Sequence, residues 1–236
     1  MADILLIHGS CHGAWCWRDT IPALEALGHR ARAIDLPSHG ADTSPVAEVT
    51  LDSYATAIVG ALSDATVLVG HSLGGYPITA AAERAPDQIE RLIYLSAHVP
   101  APGLTMAQMR ARQPRQPLVE ALQMAEDGLS FTVDLGKAPA LFYHDCPADA
   151  VAFALENLCP QALAPGETVI NLTSASQDLP RRYIRCLDDR TVLPEYQRDL
   201  TQDWPDAHVQ DMNTGHSPFF SDPAGLARRI DTAIRS

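Results

Sequence analysis

One serine in this chain lies between two glycines at a junction between a predicted strand and a predicted helix. Residues 66–69 form a short apolar run that indicates a buried strand, and an alanine-rich helix is predicted over 74–85. The pentapeptide GHSLG (70–74) joins the two. A GxSxG sequence in this position predicts a tight turn that holds the serine hydroxyl above the edge of a sheet. Ser72 is therefore the candidate nucleophile.

The two glycines of this pentapeptide have a steric role. The turn is so tight that side chains at Gly70 and Gly74 would collide with neighbouring backbone. Ser72 itself must adopt a strained backbone conformation, which only a well-supported turn tolerates. We therefore expect both glycines to support the turn without touching a substrate.

A base must accompany Ser72, because a serine hydroxyl is a weak nucleophile until a neutral imidazole takes its proton. Nine histidines are available. His216 lies in the turn NTGHS (213–217), after the last predicted strand and before the last predicted helix. His71 adjoins the nucleophile and should point away from it. We predict that His216 is the base.

The acid that orients the base is sought at the end of the predicted strand 183–187. Asp188 and Asp189 follow that strand directly. Because neighbouring side chains of an extended segment point in opposite directions, only one of the two can reach His216. The order serine, aspartate, histidine along the chain is that of α/β-hydrolases and differs from the orders of two well-known serine proteases.

An oxyanion hole is predicted from two backbone N–H groups. One donor in this arrangement is the residue after the nucleophile, here Leu73, and the other lies in the loop after the first strand of the core. That loop begins with Gly9 and Ser10, and Gly9 lets the chain turn toward the acyl oxygen. Ser10 is therefore the candidate for the second N–H.

The rest of the chain alternates strands and helices as in a parallel sheet built from βαβ units. Strands are predicted over 4–8, 30–35, 66–69, 89–95, 183–187 and 207–212, and helices over 17–27, 51–62, 74–85, from 194 onward and over 223–234. A proline-rich stretch interrupts this alternation and is far longer than a parallel crossover needs. We predict a mostly parallel sheet of about six strands flanked by helices, with a core of residues 1–100 and 181–236 and an inserted cap of residues 101–180.

Composition limits the partners and the compartment. The 236 residues carry a net charge of −12, which disfavours nucleic acid and anionic membrane surfaces. The five scattered cysteines are typical of reduced thiols, and no stretch approaches the ~20 apolar residues of a membrane span. We expect a cytoplasmic protein that acts without a metal or an organic cofactor, and a homodimer stays open as its assembly.

Several motifs together resemble one branch of the α/β-hydrolases. They are His8-Gly9, CHGAW (11–15) with Trp17, IDLPSHG (34–40), GHSLGG (70–75) and RYI (182–184), which leads to Asp189 and PEYQ (194–197). The chain is similar to the branch that contains plant methylesterases, hydroxynitrile lyases and their bacterial esterase relatives. The resemblance spans nearly the whole chain and is weakest in the proline-rich insertion. It implies an α/β-hydrolase fold with a cap over the active site, and it places the family's acid on Asp189 rather than Asp188.

The same resemblance separates two chemistries. The lyases resemble each other in a threonine after the histidine that ends the first core strand, and in a lysine after the catalytic histidine that stabilises departing cyanide. This chain has Gly9 and Ser217 at those positions. The resemblance therefore implies a serine carboxylesterase acting on small hydrophobic esters, with methyl and aryl esters as examples.

Two other functions use the same residues. A ligand-binding receptor of this fold would keep the triad and turn over slowly, and a C–C or lactone hydrolase would cleave a different bond. A burst followed by negligible turnover separates the receptor from the enzyme, whereas only a substrate panel separates the hydrolases. The acid and alcohol parts of the substrate do not follow from the sequence, because the shape of the pocket depends on how the cap packs.

Overall fold

The computed structural model describes residues 1–236 and contains a central sheet of six parallel strands. The strands of the protein are β1 (Asp3–Ile7), β2 (Arg30–Ile34), β3 (Thr66–His71), β4 (Ile89–Leu95), β5 (Leu122–Met124), β6 (Ser130–Val133), β7 (Gln161–Ala162), β8 (Arg181–Cys186) and β9 (Val209–Met212). The central sheet has the order β2-β1-β3-β4-β8-β9. The predicted α/β-hydrolase fold, with about six strands in its sheet, is confirmed.

Ten α-helices accompany these strands. They are α1 (Thr20–Ala26), α2 (Leu51–Gly60), α3 (Gly75–Arg84), α4 (Met106–Arg110), α5 (Ala138–Phe142), α6 (Ala148–Asn157), α7 (Ser174–Gln177), α8 (Pro194–Thr201), α9 (Pro218–Ser221) and α10 (Pro223–Arg235). The Thr50 side chain caps α2 by accepting a hydrogen bond from the Ser53 N–H at 3.0 Å. Gly28 follows the end of α1 with a φ of +86°, which a glycine adopts without strain.

The sheet is buried on both faces, as parallel sheets usually are. Along β1, Ile4 and Leu6 belong to one apolar cluster, whereas Leu5 and Ile7 belong to another. This alternation places one cluster on each side of the sheet. The carboxyl ends of the strands are thereby held between two packed layers, and the loops that follow them share one edge.

Several element boundaries differ from the sequence-based predictions by one to three residues, and two of these differences come from 3-10 turns. The helix predicted over 17–27 is a 3-10 turn over Ala14–Trp17 followed by α1. Pro22 lacks an N–H and fits only in the first turn of an α-helix, so α1 begins just before it. The strand predicted from residue 207 begins at Val209, because Asp206–His208 form a 3-10 turn.

The segment between β4 and β8 carries its own small sheet. Strands β5, β6 and β7 form an antiparallel sheet in that order, and α4 to α7 lie in the same segment. The sequence predicted an insertion here but none of its strands, which are two to four residues long and too short to show an alternating pattern. Residues 101–180 stay the proposed limits of the cap.

A membrane-spanning segment was not expected from the sequence. None of the helices combines the length and the apolar character that crossing a bilayer demands.

Candidate active site

Ser72 lies at the turn between β3 and α3. It begins a 3-10 turn that spans Ser72–Gly74 and leads directly into the helix. Its φ is +54°, in the left-handed region that side chains other than glycine rarely adopt. Such a strained conformation persists only where the surroundings enforce it, and it is frequent at functional sites.

Three glycines enforce this turn by allowing close backbone approach. A Cβ on Gly70 would lie 2.5 Å from the carbonyl oxygen of Gly74. A Cβ on Gly74 would lie 2.9 Å from the carbonyl oxygen of Ile7, and one on Gly9 would lie 2.8 Å from Cβ of Ser72. Each of these separations is shorter than real Cβ contacts, so no side chain fits without displacing the backbone.

The structure brings His216 and Asp189 together. Nδ1 of His216 donates a hydrogen bond to Oδ2 of Asp189 at 2.7 Å, and both side chains are almost completely buried. The other oxygen, Oδ1, accepts hydrogen bonds from the N–H groups of Thr191 at 2.6 Å and Val192 at 2.9 Å. The carboxylate is thus fixed at both oxygens, and the Nε2 atom of the imidazole stays free to accept a proton.

Sequence reasoning missed one residue of this arrangement. The Ser96 hydroxyl donates a short hydrogen bond to Oδ2 of Asp189, the oxygen that also faces His216. Ser96 follows the end of β4 and has a φ of +41°. Its position at the end of a parallel strand was the signal available, because such residues gather at the same edge of the sheet as Ser72.

Asp188 lies outside this arrangement. Its side chain is exposed, and its Oδ2 accepts a hydrogen bond from Nε2 of His144 in the insertion at 2.9 Å. Asp145, the residue after His144, makes a second contact between the insertion and the core: its Oδ2 accepts a hydrogen bond from the N–H of Gly215 at 2.6 Å. The loop before His216 is therefore tied to the insertion.

His71, which precedes Ser72, links the turn of Ser72 to the loop that carries His216. Its Nε2 donates to the carbonyl oxygen of His216 at 2.8 Å, and the two rings have centroids 4.5 Å apart. No hydrogen bond joins the Ser72 side chain to His216 in this structure. Catalytic hydrogen bonds of this kind are often long in the free enzyme and shorten when a substrate is bound.

The loop after β1 provides the second predicted N–H. The backbone N–H of Ser10 has no partner within the protein, and Cys11 turns the chain with a φ of +62°. Nδ1 of His12 donates to the Ser10 carbonyl oxygen at 2.7 Å, while its Nε2 accepts the hydroxyl of Tyr143 at 2.7 Å. The ring of His12 thereby links the loop to Tyr143 of the insertion.

A small cavity unites the predicted nucleophile and both predicted oxyanion donors. It is lined by Ser10, Ser72, Leu73, His98, Met106, Arg110, Gln113, Leu118, Thr191 and Val192. The cavity has a volume of about 10 Å³, which is room for about one water molecule. A second cavity of about 50 Å³ shares Leu73, Met106 and Arg110 with it. Ligand sites usually exceed about 300 Å³, so both cavities are small for an ester.

Four buried histidines around the site are neutral. Burial lowers the pKa of His12 to about 3, and burial together with the Arg110 cation lowers the pKa of His98 to about 3. Burial and nearby histidines also hold the pKa values of His8 and His71 well below the usual range. In each case the charged imidazolium would lose its hydration without gaining a carboxylate partner.

The remaining surface offers no metal site and one larger cleft. No group of three or more histidine, cysteine, aspartate or glutamate side chains is arranged to hold a metal ion. A polar cleft of about 490 Å³ lies between β9 and α10, lined in part by Asp222, Arg228 and Arg229, and contains none of the predicted site residues.

Comparison with known proteins decides the family. The sequence profile described as "Alpha/beta hydrolase family" matches residues 4–229. This chain belongs to the alpha/beta hydrolase family. Among curated relatives, a pyrethroid hydrolase from Sphingobium wenxiniae is 31% identical over 98% of this chain and 86% of its own length. Methylesterase 1 from Arabidopsis thaliana is 30% identical over 94% of this chain and 92% of its own length.

Solved structures agree with this assignment. This alpha/beta hydrolase is 28% identical to a pyrethroid hydrolase from Sphingobium faniae JZ-2 whose crystal structure is known. The two superpose with a TM-score of 0.87 over 100% of this chain and 98% of the other. The resemblance to methylesterases and bacterial esterases that was drawn from the motifs is confirmed.

Proposed function

We propose that this alpha/beta hydrolase cleaves small hydrophobic carboxylic esters through an acyl-enzyme formed on Ser72. His216 acts as the base, Asp189 orients it, and the N–H groups of Ser10 and Leu73 hold the oxyanion. The observation that carries the proposal is the convergence of Ser72, Ser10 and Leu73 on one cavity, next to the paired His216 and Asp189.

The chemistry follows from the orientation of the imidazole. Asp189 accepts a hydrogen bond from the Nδ1–H group of His216, so Nε2 can take the proton of the Ser72 hydroxyl as it attacks the ester carbonyl. The negative charge that develops on the carbonyl oxygen is stabilised by the two N–H groups, each worth about 10²- to 10³-fold in rate. His216 then protonates the departing alcohol, and a water molecule activated by the same residue releases the acid.

The relatives and the lining of the cavity support a hydrophobic ester as the substrate. The relatives are named pyrethroid hydrolase and methylesterase. Met106, Leu118 and Val192 contribute apolar surface beside Ser72. Methyl and aryl esters are the simplest compounds that combine an apolar part with a reactive carbonyl.

The proposal is tested by replacing the nucleophile. Ser72→Ala should lower the turnover of an activated aryl ester and of a methyl ester by about 10³-fold or more, because no covalent intermediate can form. Ser174→Ala, which removes an exposed hydroxyl in the insertion, is the matched control and should leave turnover unchanged. Circular dichroism checks that both variants fold.

Two results would overturn the proposal. A Ser72→Ala protein that keeps more than a tenth of the activity would show that another group performs the chemistry. A single burst followed by negligible turnover on every ester tried would identify a receptor instead of an enzyme.

The cytoplasmic location and the absence of nucleic-acid partners belong to the same proposal. All five cysteines are free thiols, which are typical of a reducing compartment. The net charge of −12 repels polyphosphates. Light scattering coupled to gel filtration would distinguish a homodimer from a monomer.

A further inference from the structure

An arginine without a partner lies in the cavity of the predicted nucleophile. Arg110 is the last residue of α4, and it lines both the cavity that contains Ser72 and the neighbouring cavity. Its side chain takes part in no hydrogen bond and in no ion pair, and its Nε atom is buried. A guanidinium has five N–H donors and no acceptor, so each of them lacks a partner from the protein.

Arg110 differs from the arginines of the same chain that form ion pairs, because it is partly buried in a cavity and has no acidic partner. Seven of the sixteen arginines form ion pairs with carboxylates, and five of these seven are more exposed to water than Arg110: Arg18, Arg30, Arg84, Arg115 and Arg235. The chain carries 29 acidic residues, yet none of them pairs with Arg110. Burial lowers the pKa of Arg110, and no nearby carboxylate offsets that effect. A partly buried charge without a partner is costly, and such a charge beside a reactive group points to a ligand that supplies the partner.

Two polar side chains near Arg110 in the cavity, His98 and Gln113, carry no negative charge. His98 is 4% exposed, and its Nδ1 atom has no hydrogen-bond partner. Gln113 uses its Oε1 atom to accept the N–H of Leu193 at 2.8 Å, which leaves its amide nitrogen without a partner. The cavity therefore offers a cation and an amide N–H, and no carboxylate lines it; Glu167 lines the neighbouring cavity but forms no ion pair with Arg110.

We propose that Arg110 is a specificity-determining residue that binds a carboxylate carried by the substrate, at the end remote from the ester that Ser72 attacks. The preferred substrates are then half-esters, in which one carboxyl group is esterified and a second is free. This inference rests on the proposed function of Ser72. A planar carboxylate fits the guanidinium in a bidentate manner, and its single negative charge matches the single cation of the cavity. The free carboxylate takes no part in bond cleavage and leaves with the acid product.

Pairs of esters that differ only in this charge test the inference. Monomethyl terephthalate is compared with methyl para-isopropylbenzoate, which has nearly the same shape and no charge. Monomethyl suberate and methyl nonanoate form a flexible pair. In the unmodified enzyme, kcat/KM should favour the charged member of at least one pair. Arg110→Met should lower that preference by about ten- to one-hundred-fold, mainly through KM, because a hydrogen-bonded charge pair is lost.

Two further variants make the result specific. Arg110→Lys keeps the charge but not the fork of donors, and it should retain part of the preference. Arg112→Met removes the same charge from an exposed position two residues away and should leave the preference unchanged. A preference that changes less than twofold in Arg110→Met, or that changes equally in Arg112→Met, would overturn the inference.

A binding measurement keeps this test independent of catalysis. Calorimetric titration of the Ser72→Ala protein with monomethyl terephthalate and with monomethyl suberate should give a Kd for at least one of them. Adding Arg110→Met should weaken it at least tenfold, whereas adding Arg112→Met should not. If the unmodified enzyme hydrolyses no ester, the proposed function fails while this titration still decides the role of Arg110. Absence of binding when Arg110 is intact would overturn the inference.

Discussion

The two sides of the Ser72 cavity are held in different ways. On the core side, Ser72 lies on a turn that three glycines permit, and Asp189 is fixed by four hydrogen-bond donors. On the other side, Met106 and Arg110 lie on the five-residue helix α4, and the Arg110 side chain has no partner at all. On the core side the polar groups are paired within the protein. On the insertion side the donors of Arg110 have no partner, and we propose that a substrate supplies one.

The largest expected effect comes from breaking the core side at its acid. Asp189→Asn should lower kcat by about 10⁴-fold, because an amide favours the wrong tautomer of His216. Asp188→Asn is the matched control: it changes the neighbouring carboxylate, which contacts only His144, and should alter kcat less than threefold. Steady-state kinetics on one methyl ester measure both. Equal losses in the two variants would mean that the loop, and not the carboxylate, matters.

Lowering the pH should decrease the free energy of unfolding through the buried histidines of the core side, whereas Arg110 keeps its charge. His8, His12, His71 and His98 are neutral when folded, with pKa values lowered by burial, but they can bind protons near pH 6.5 when unfolded. The unfolded state therefore binds more protons below about pH 6.5, so stability is full above that pH and falls as the pH decreases toward 3. Each histidine contributes up to about 1.4 kcal/mol per pH unit.

Urea unfolding followed by circular dichroism measures this effect. The free energy of unfolding should be nearly constant between pH 8 and 7 and should fall by several kcal/mol by about pH 5. A free energy that stays flat down to pH 5 would contradict the assignment of the four histidines as buried and neutral.

A smaller effect is expected at Ser96, whose hydroxyl donates a hydrogen bond to Asp189. Ser96→Ala removes one of the donors to Asp189 and leaves the other three. We expect kcat to fall about tenfold with KM unchanged, since a donor to a carboxylate that orients a base acts on the reaction and not on binding. A loss that appears only in KM would place Ser96 in substrate binding instead.

The smallest effect is expected on the insertion side. Met106→Ala should enlarge the two small cavities that this side chain lines, so that kcat/KM for methyl nonanoate relative to methyl butanoate rises about three- to tenfold. Met109→Ala is the control, because Met109 is buried on the same helix and lines neither cavity. An equal gain in both variants would indicate general loosening of α4.

The difference between the two sides of the cavity also explains which parts of the site could be predicted from the sequence. The turn around Ser72, the loop of His216 and the succession of strands and helices along the chain follow from local patterns that parallel sheets repeat, so they could be predicted from the sequence. The role of Ser96 depends on a hydrogen bond between positions 93 residues apart, and no local pattern records it. No sequence pattern marks Arg110, because its lack of an acidic partner becomes visible only in the folded protein.

The insertion between β4 and β8 also separates the parts of the proposed triad in time. During synthesis, β1 to β4 and Ser72 are made first, the whole insertion follows, and Asp189 and His216 come last. The proposed nucleophile is therefore synthesised well before the proposed acid and base. A nascent chain that ends before β8 contains Ser72 without Asp189 and His216, so the proposed hydrolysis has to wait until β8 and β9 join the sheet.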